Sequence, residues 1–375
     1  MSEAGQAERA AAALQAVVKQ AARGLIDREV LVELIVLGAI AHEHVLVIGE
    51  PGTAKSAAVR RVTTALGGSY FEYLLGRFTE PSEIFGPIDL LELQQGKLET
   101  RTTGMLPEAQ IAFLDEVFQG SSAILNTLLG VLNERKFRRG HALRDVPLRL
   151  CVGASNALPD NPSLAAFADR FLIRVFVSPV ADSELEALLT AGFAEHGPNE
   201  ALASMQDVDV LARAVDRTDL SAVQSRLAES IRTLRRAGIA LSDRRIVRAQ
   251  RLVAAASVLA GRARASFADL WPLVYAVPTE VEQVTAREVL QALLKEAESP
   301  LAAAALDASA GLLARAQRIE RVATELLAEH PPEAEQSAWR LKLEAICREI
   351  DATFAPDALP AALQPIRQRI AALFA

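Results

Sequence analysis

Short apolar runs alternate along the first half of the chain with longer stretches whose apolar positions recur every three or four residues. The runs at 45–48, 70–74, 111–114, 150–154 and 171–177 have the length and near-continuous apolar character of strands buried on both faces. Helical periodicity predicts helices over 7–23, from the turn Gly24-Leu25-Ile26-Asp27-Arg28-Glu29 to Ala41, from Lys55 to Leu66, and over 121–134. In the last of these Ile124, Leu125, Leu128, Leu129 and Leu132 share one face. Strands and helices in alternation predict an α/β fold with a five-stranded parallel sheet. Beyond Pro179 the strand signal fades, and helices are predicted over 202–215, 222–236, 246–260 and 286–294. Three further stripes follow: Leu312, Ala316, Ile319, Ala323 and Leu326; Trp339, Leu343, Ile346 and Ile350; Leu363, Ile366, Ile370 and Leu373. Prolines at 331–332 and between 356 and 360 separate them, so they predict an antiparallel helical appendage of three segments, whose stripes more often form an intrachain core than a partner-binding face.

Candidate chemistry sits where the first strand ends. Val45-Leu46-Val47-Ile48 runs into Gly49-Glu50-Pro51-Gly52-Thr53-Ala54-Lys55-Ser56 and then into the helix with Ala57. Strand, Gly-rich loop, Lys-Ser and helix in that order match a P-loop, which turns backbone N–H groups and a helix N-terminus toward phosphate. The motif implies a nucleoside triphosphate, with Lys55 at the β- and γ-phosphates and the Ser56 hydroxyl on Mg²⁺. Ala54 stands where a glycine is usual. A right-handed conformation there would accommodate its methyl group, leaving Gly49 and Gly52 for turns that need positive φ. The strand at 111–114 ends in Asp115-Glu116, where a parallel sheet opens toward its ligand. Asp115 is placed to hold Mg²⁺ through water and Glu116 to polarise the attacking water. Taken alone, Asp-Glu after an apolar run is as often a plain strand end; the P-loop upstream decides for the functional reading.

Composition narrows the classes. At 375 residues the chain is long enough for two or three domains, and 51% hydrophobic with only 5% aromatic content favours helices packed around a modest sheet. A net charge of -7 disfavours a protein built to coat nucleic acid. Cys151 and Cys347 lie far apart, so neither a disulfide framework nor a zinc site is expected, and a reducing cytoplasm fits. The N-terminus lacks the pattern of a signal peptide, and the apolar run at 30–41 is short and interrupted by Glu33, so a soluble, cytoplasmic protein is expected. The five histidines form no metal constellation; His42 and His44 alternate just before the first strand.

Several ordered motifs together resemble the MoxR family of AAA+ ATPases, and within it the RavA-like branch of the helix-2-insert clade. They are GEPGTAKS, FLDEVFQGSSAILNTLLGVLNERKFR, VGASNALP, FADRFLIR, LSDRR and Asp269-Leu270-Trp271, and they extend to about Leu294. The resemblance implies an AAA+ αβα ATPase core with N-terminal helices over 1–180 and an all-α lid over 181–296; it does not reach the C-terminal helical extension over 297–375, which rests on the apolar stripes alone. It implies that Ile26 borders the adenine and that Asn156 is the residue, sensor one, that orients the lytic water. Arg170 resembles the arginine finger that enters a neighbouring subunit's site, with Arg174 its rival; the plain alternative for Arg170 is an ion pair with Asp169. Sensor two falls on Arg244 or on Arg245, and Ser242 is the expected N-cap of their helix. By this resemblance the catalytic set is Glu116, Asn156, Arg170 and Arg244, and the loop binds ATP with Mg²⁺.

Two insertions complete the picture. Residues 90–100 read as two short strand patterns about a Gly-containing turn, a hairpin that clade members project toward a central pore or an axial face. Residues 135–149 read as a second hairpin carrying Lys136, Arg138, Arg139 and Arg144, whose charges either face a partner or are balanced within the chain. The expectation is a ring, a hexamer, that hydrolyses ATP to remodel a protein, commonly beside a partner with a von Willebrand factor A domain. A DNA-working or chelatase-like motor and an ATP-binding scaffold without turnover are the alternatives.

Overall fold

The computed structural model describes residues 3–95, 99–139, 142–193, 200–291, 319–320, 323–324, 326–327, 336–353, 360 and 363–374. Its centre is a five-stranded parallel sheet built from β1 (Val45–Gly49), β2 (Tyr70–Leu74), β3 (Ile111–Asp115), β6 (Leu150–Ser155) and β7 (Ile173–Val177), in the order β2-β3-β6-β1-β7. β1 therefore lies between two strands that come late in the chain, with Val45 opposite both Val152 and Ile173. The loop after such a switch in strand order is where an open α/β sheet takes its ligand.

Alternation along the strands divides the interior in two, because successive side chains leave opposite faces. Val45, Val47, Phe113, Val152 and Val175 join one cluster, and Leu46, Ile48, Ala112, Leu114 and Cys151 join the other. On the first face lie α1 (Glu3–Ala22), α2 (Glu29–Ala41), α3 (Lys55–Leu66), α9 (Met205–Asp216) and α11 (Asp243–Leu259). Helix α2 is apolar on all sides apart from Glu29 and Glu33, and every residue from Leu31 to Ala41 is buried. On the second face lies α6 (Ser122–Glu134), which is N-capped by Ser121 and buries Ile124, Leu125, Leu128 and Leu132.

The remaining described elements are α4 (Pro81–Phe85), α5 (Leu90–Gln94), the antiparallel pair β4 (Lys136–Arg139) and β5 (Ala142–Asp145), α7 (Pro162–Ala168), α8 (Leu185–Phe193), α10 (Gln224–Arg236), the 3-10 segment Phe267–Ala276 and α12 (Glu280–Val289). The second insertion is thus the expected hairpin. Two of its cations turn inward, Arg139 to the Gly86 carbonyl and Arg144 to the Thr102 hydroxyl.

The first insertion corrects its expectation. Residues 90–94 form a helical turn rather than a strand, because Asp89 accepts hydrogen bonds from the backbone N–H groups of Leu91 and Glu92 and so caps it. A single bridge, Ile88 to Thr100, closes the base; Gly96 and the expected turn lie outside the described residues. Leu90 and Leu91 of this insertion and Phe78 beside it are exposed. α12 begins at Thr279, whose hydroxyl caps Glu282, earlier than its apolar stripe suggested.

Near the C-terminus the helices Gln336–Thr353 and Leu363–Phe374 share a small core formed by Ile319, Ala323, Leu343, Ile346, Ile350, Leu363 and Ile370. The stripes pack within the chain, as their spacing predicted, except that Leu373 is 42% exposed and outside this core; Leu312 and Ala316 lie outside the described residues. Among the described residues no helix is long and apolar enough to cross a membrane.

Candidate functional site

β1 ends against β7 so closely that only glycine fits at its last residue. A Cβ on Gly49 would lie 2.1 Å from the Val177 carbonyl oxygen. The loop beyond it is fastened from both sides. The Thr53 hydroxyl donates to the Glu50 carbonyl at 2.8 Å, and Gly52 takes φ +84° with open space around it. Ala54 adopts φ 62°, ψ 23°, the left-handed conformation, and this overturns the right-handed geometry expected for it. The turn that delivers Lys55 to the first position of α3 needs positive φ, which explains why glycine is usual here and what the methyl group costs, about 1–2 kcal/mol. Of the two glycines expected to supply positive φ, Gly52 does so, while Gly49 is needed for close approach.

Lys55 is buried at the start of α3 and donates from Nζ to the carbonyls of Gly49 at 2.7 Å and Glu50 at 2.8 Å. Burial lowers its pKa, while Asp115 and Glu116 act the other way, so both carboxylates lie within electrostatic reach of the ammonium. Ser56 follows on the same turn, and its hydroxyl accepts from Arg60 at 3.3 Å.

Asp115 closes β3, and Glu116 takes φ 49°, a strained value that turns the chain into the short helix Val117–Gln119. The Glu116 N–H donates to Asp115 Oδ1 at 2.9 Å. Asn156 follows β6, the neighbouring strand, and donates from Nδ2 to Glu116 Oε1 at 2.8 Å. The loop, the two acids and the asparagine therefore gather at the carboxyl ends of three adjacent strands. Sequence reasoning missed one residue here. Arg28, 4% exposed, donates to the Thr53 carbonyl at 2.9 Å and the Ser178 carbonyl at 2.7 Å, tying the start of α2 to the loop and to the end of β7. Burial lowers its pKa. Its only signal was one charge beside an apolar helix. Ile26, two residues earlier in the chain, is half-buried.

The four candidate arginines lie elsewhere. Arg170 and Arg174 flank the start of β7, at the amino ends of the strands and about 16 Å, one strand length, from the loop. Arg174 is 4% exposed and donates to the carbonyls of Ala168 at 2.8 Å, Phe171 at 3.4 Å and Pro278 at 3.0 Å. Burial pulls its pKa down to about 10. Such an arginine is a strut of its own chain, with all three of its nitrogens engaged by carbonyls. Arg170 does not pair with Asp169, and its buried Nε has no hydrogen-bond partner among the described residues. Asp169 instead accepts from Arg245 at 2.7 Å.

Arg245 is 3% exposed and also donates to the carbonyls of Ala276 at 2.9 Å and Leu172 at 2.7 Å. Arg244, on the exposed side of the same turn, meets Asn133 Oδ1 at 2.9 Å. Ser242 caps the helix by accepting from the Arg245 N–H, as expected. One turn further, Arg248 binds Glu43 at 3.0 Å, and Arg251 binds the Ala41 carbonyl at 3.1 Å. The start of α11 is thereby fixed beneath the amino ends of β1 and β7, at the opposite end of the strands from the chain's own loop.

A family model described as the MoxR domain in the MoxR-vWA-beta-propeller ternary systems matches residues 12–216. The chain belongs to the MoxR family of AAA+ ATPases. Two uncharacterized proteins of Methanocaldococcus jannaschii are 35% and 34% identical to this MoxR chain, each over 65% of it. The matches span 66% and 64% of those relatives, a little under two thirds of their lengths. Chaperone MoxR1 of Mycobacterium tuberculosis is 27% identical over 48% of both chains. The crystal structure of a candidate ATPase from Cytophaga hutchinsonii superposes with a TM-score of 0.62 at 15% identity, covering 78% of this chain and 97% of that one. That likeness concerns the fold, an AAA+ core with helical parts.

Proposed function

We propose that this MoxR chain hydrolyses ATP within a ring of copies and uses the energy to remodel a protein partner. The observation that carries the reading is the division of the site between the two ends of one sheet. Lys55, Asp115, Glu116 and Asn156 converge at the carboxyl ends, while Arg170 and Arg244 stand at the amino ends. A chain cannot bring these two sets together by itself, but head-to-tail packing of copies can, and such packing closes into a ring.

The donor set fits the nucleotide. The loop's backbone N–H groups and the start of α3 suit phosphates, and Lys55 exchanges its two carbonyl acceptors for phosphate oxygens. Ile26 borders the base, and Gly49, Glu50, Pro51, Gly52, Thr53, Ala54 and Ala57 shape the cradle. Ser56 and Asp115 would hold Mg²⁺, which supplies charge neutralisation at the phosphates. Glu116 accepts the proton of the attacking water, and Asn156, already bonded to Glu116, fixes the water's position. Arg170 from an adjacent copy would stabilise the charge that develops on the transferred phosphoryl oxygens, and Arg244 would sense the same group from the lid.

Three functional units follow: a core over 1–180, a lid over 181–296 and a helical extension over 297–375. Hydrolysis shifts the lid against the core through the contacts of Arg245, Arg248 and Arg251. The family model's association with vWA proteins supports a partner bearing such a domain. The test is ATP turnover per subunit, with Mg²⁺, as protein concentration rises through assembly. A cooperative rise is expected; a rate per subunit independent of concentration would refute the shared site.

A further inference from the structure

A second cavity, of about 540 Å³, shares no residue with the nucleotide site. It lies between the C-terminal half of α1, the start of α2, the end of α11 and the 3-10 segment Phe267–Ala276. Its size is that of a small-ligand pocket, and Val18, Leu259 and Trp271 make much of its wall apolar.

Glu33 of α2 opens onto this space. Its side chain is nine-tenths buried, and Oε2 has no hydrogen-bond partner among the described residues. Burial alone pushes its pKa up to about 7, with no cation offsetting it. Two cations of the chain also line the cavity, Lys19, which is exposed, and Arg262, which is held by Asp269, and the other neighbouring polar groups are engaged. Asp269 accepts from Arg262 on one oxygen and from the Ser266 N–H, at 2.8 Å, on the other. Gln15 donates to the Leu259 carbonyl at 2.7 Å. Glu29, one turn before Glu33 on the same face of α2, is exposed where the cavity meets solvent.

A buried carboxylate with an unfilled acceptor is costly, and a polar ligand group that fills it recovers that cost. A cation does so most strongly, by a charge-assisted hydrogen bond, and an indole wall adds attraction for the same charge. We propose that this cavity binds a cationic group on an apolar stem, an alkylammonium or guanidinium held by Glu33 and packed against Trp271. The source is either a free amine or a lysine or arginine of an adjoining copy.

The test uses the full chain with Trp339→Phe, which leaves Trp271 as its single tryptophan. Trp271 emission and thermal midpoint are followed during titration with 2-phenylethylamine, its uncharged analogue 2-phenylethanol and the anionic 3-phenylpropionate. The ammonium alone should give a saturable change and a raised midpoint, weakened at least tenfold in Glu33→Gln. Glu33→Asp, which keeps the charge, should bind more tightly than Glu33→Gln, while nucleotide binding stays intact in both. If a basic side chain of an adjoining copy is the natural occupant, apparent affinity falls as protein concentration takes the chain through assembly. If the occupant is a free amine, affinity does not depend on protein concentration. No saturable response, equal responses to all three probes, or an affinity unchanged by Glu33→Gln would overturn the proposal.

Discussion

Asn156 Nδ2 lies 2.8 Å from Glu116 Oε1, a hydrogen bond between the ends of two adjacent parallel strands. The contact fixes a carboxylate within electrostatic reach of Lys55, the group proposed above to take a proton from water. Glu116→Gln keeps the shape and removes the base, so nucleotide binding should stay within a few-fold while turnover falls about 10²–10⁴-fold. Asn156→Ala frees the carboxylate and should lower turnover with similar retention of binding. Equilibrium binding of a fluorescent ATP analogue, measured beside phosphate release, separates the two effects.

Neighbouring arginines at the start of α11 should behave as opposites. Arg245 is buried among Asp169 and two carbonyls, so Arg245→Ala strands polar partners and should destabilise the fold by about 3–5 kcal/mol. Arg244 is exposed, and Arg244→Ala should leave stability within about 0.5 kcal/mol while reducing turnover of the assembled protein. Urea unfolding and steady-state ATP turnover of the two variants provide the comparison.

The loop makes two predictions of contrary sign. Gly49→Ala drives a methyl group into the Val177 carbonyl and should destabilise the protein by at least about 1–3 kcal/mol. Ala54→Gly relieves a left-handed alanine, a gain of about 1–2 kcal/mol partly offset by greater freedom of the unfolded chain. Ala54→Gly should therefore raise the unfolding midpoint slightly, as read by thermal denaturation without nucleotide.

Glu33 gives the protein a pH dependence of known direction. Its pKa is about 7 in the fold against 4.5 ordinarily, so the folded chain keeps a proton that the unfolded chain has lost. Stability from this group is present below about 4.5, is lost as pH rises to about 7, and is flat above that. A shift of this size corresponds to ~3 kcal/mol. Lys19, Glu29, Arg262 and Asp269, which line the same cavity, and Tyr275, whose phenol feels the Glu33 charge, remain in Glu33→Gln, so the variant isolates the effect. It should be more stable than the parent at pH 8 by up to that amount and similar at pH 5, measured by urea midpoints.

Much of this was legible before any coordinates. The five strands declared themselves as short apolar runs between helical stretches, although β2, at the sheet edge, is only partly buried, and the strand-loop-helix at 45–66 and the acids closing β3 stood out by their residue order. What escaped was set by tertiary contact or by backbone detail. Residues 90–94 carry an apolar pattern that suits a strand, yet the Asp89 cap makes them helical. Ala54 is left-handed because the loop demands it, against its own preference. Arg28 became visible only when its partners Thr53 and Ser178, far apart in sequence, came together. Arg174 and Arg170 look alike in a strand-start motif, and only burial separates the strut from the residue whose Nε is left without a partner.

The shared site is tested most directly by mixing two silent proteins. Lys55→Ala lacks a working loop but retains Arg170, and Arg170→Ala lacks the finger but retains a working loop. If Arg170 completes a neighbour's site, each alone should turn over ATP at background, and the mixture should recover a substantial fraction of the parent rate with Mg²⁺. A mixture that stays at the sum of its two components, under conditions where the parent is active and assembled, would contradict the account.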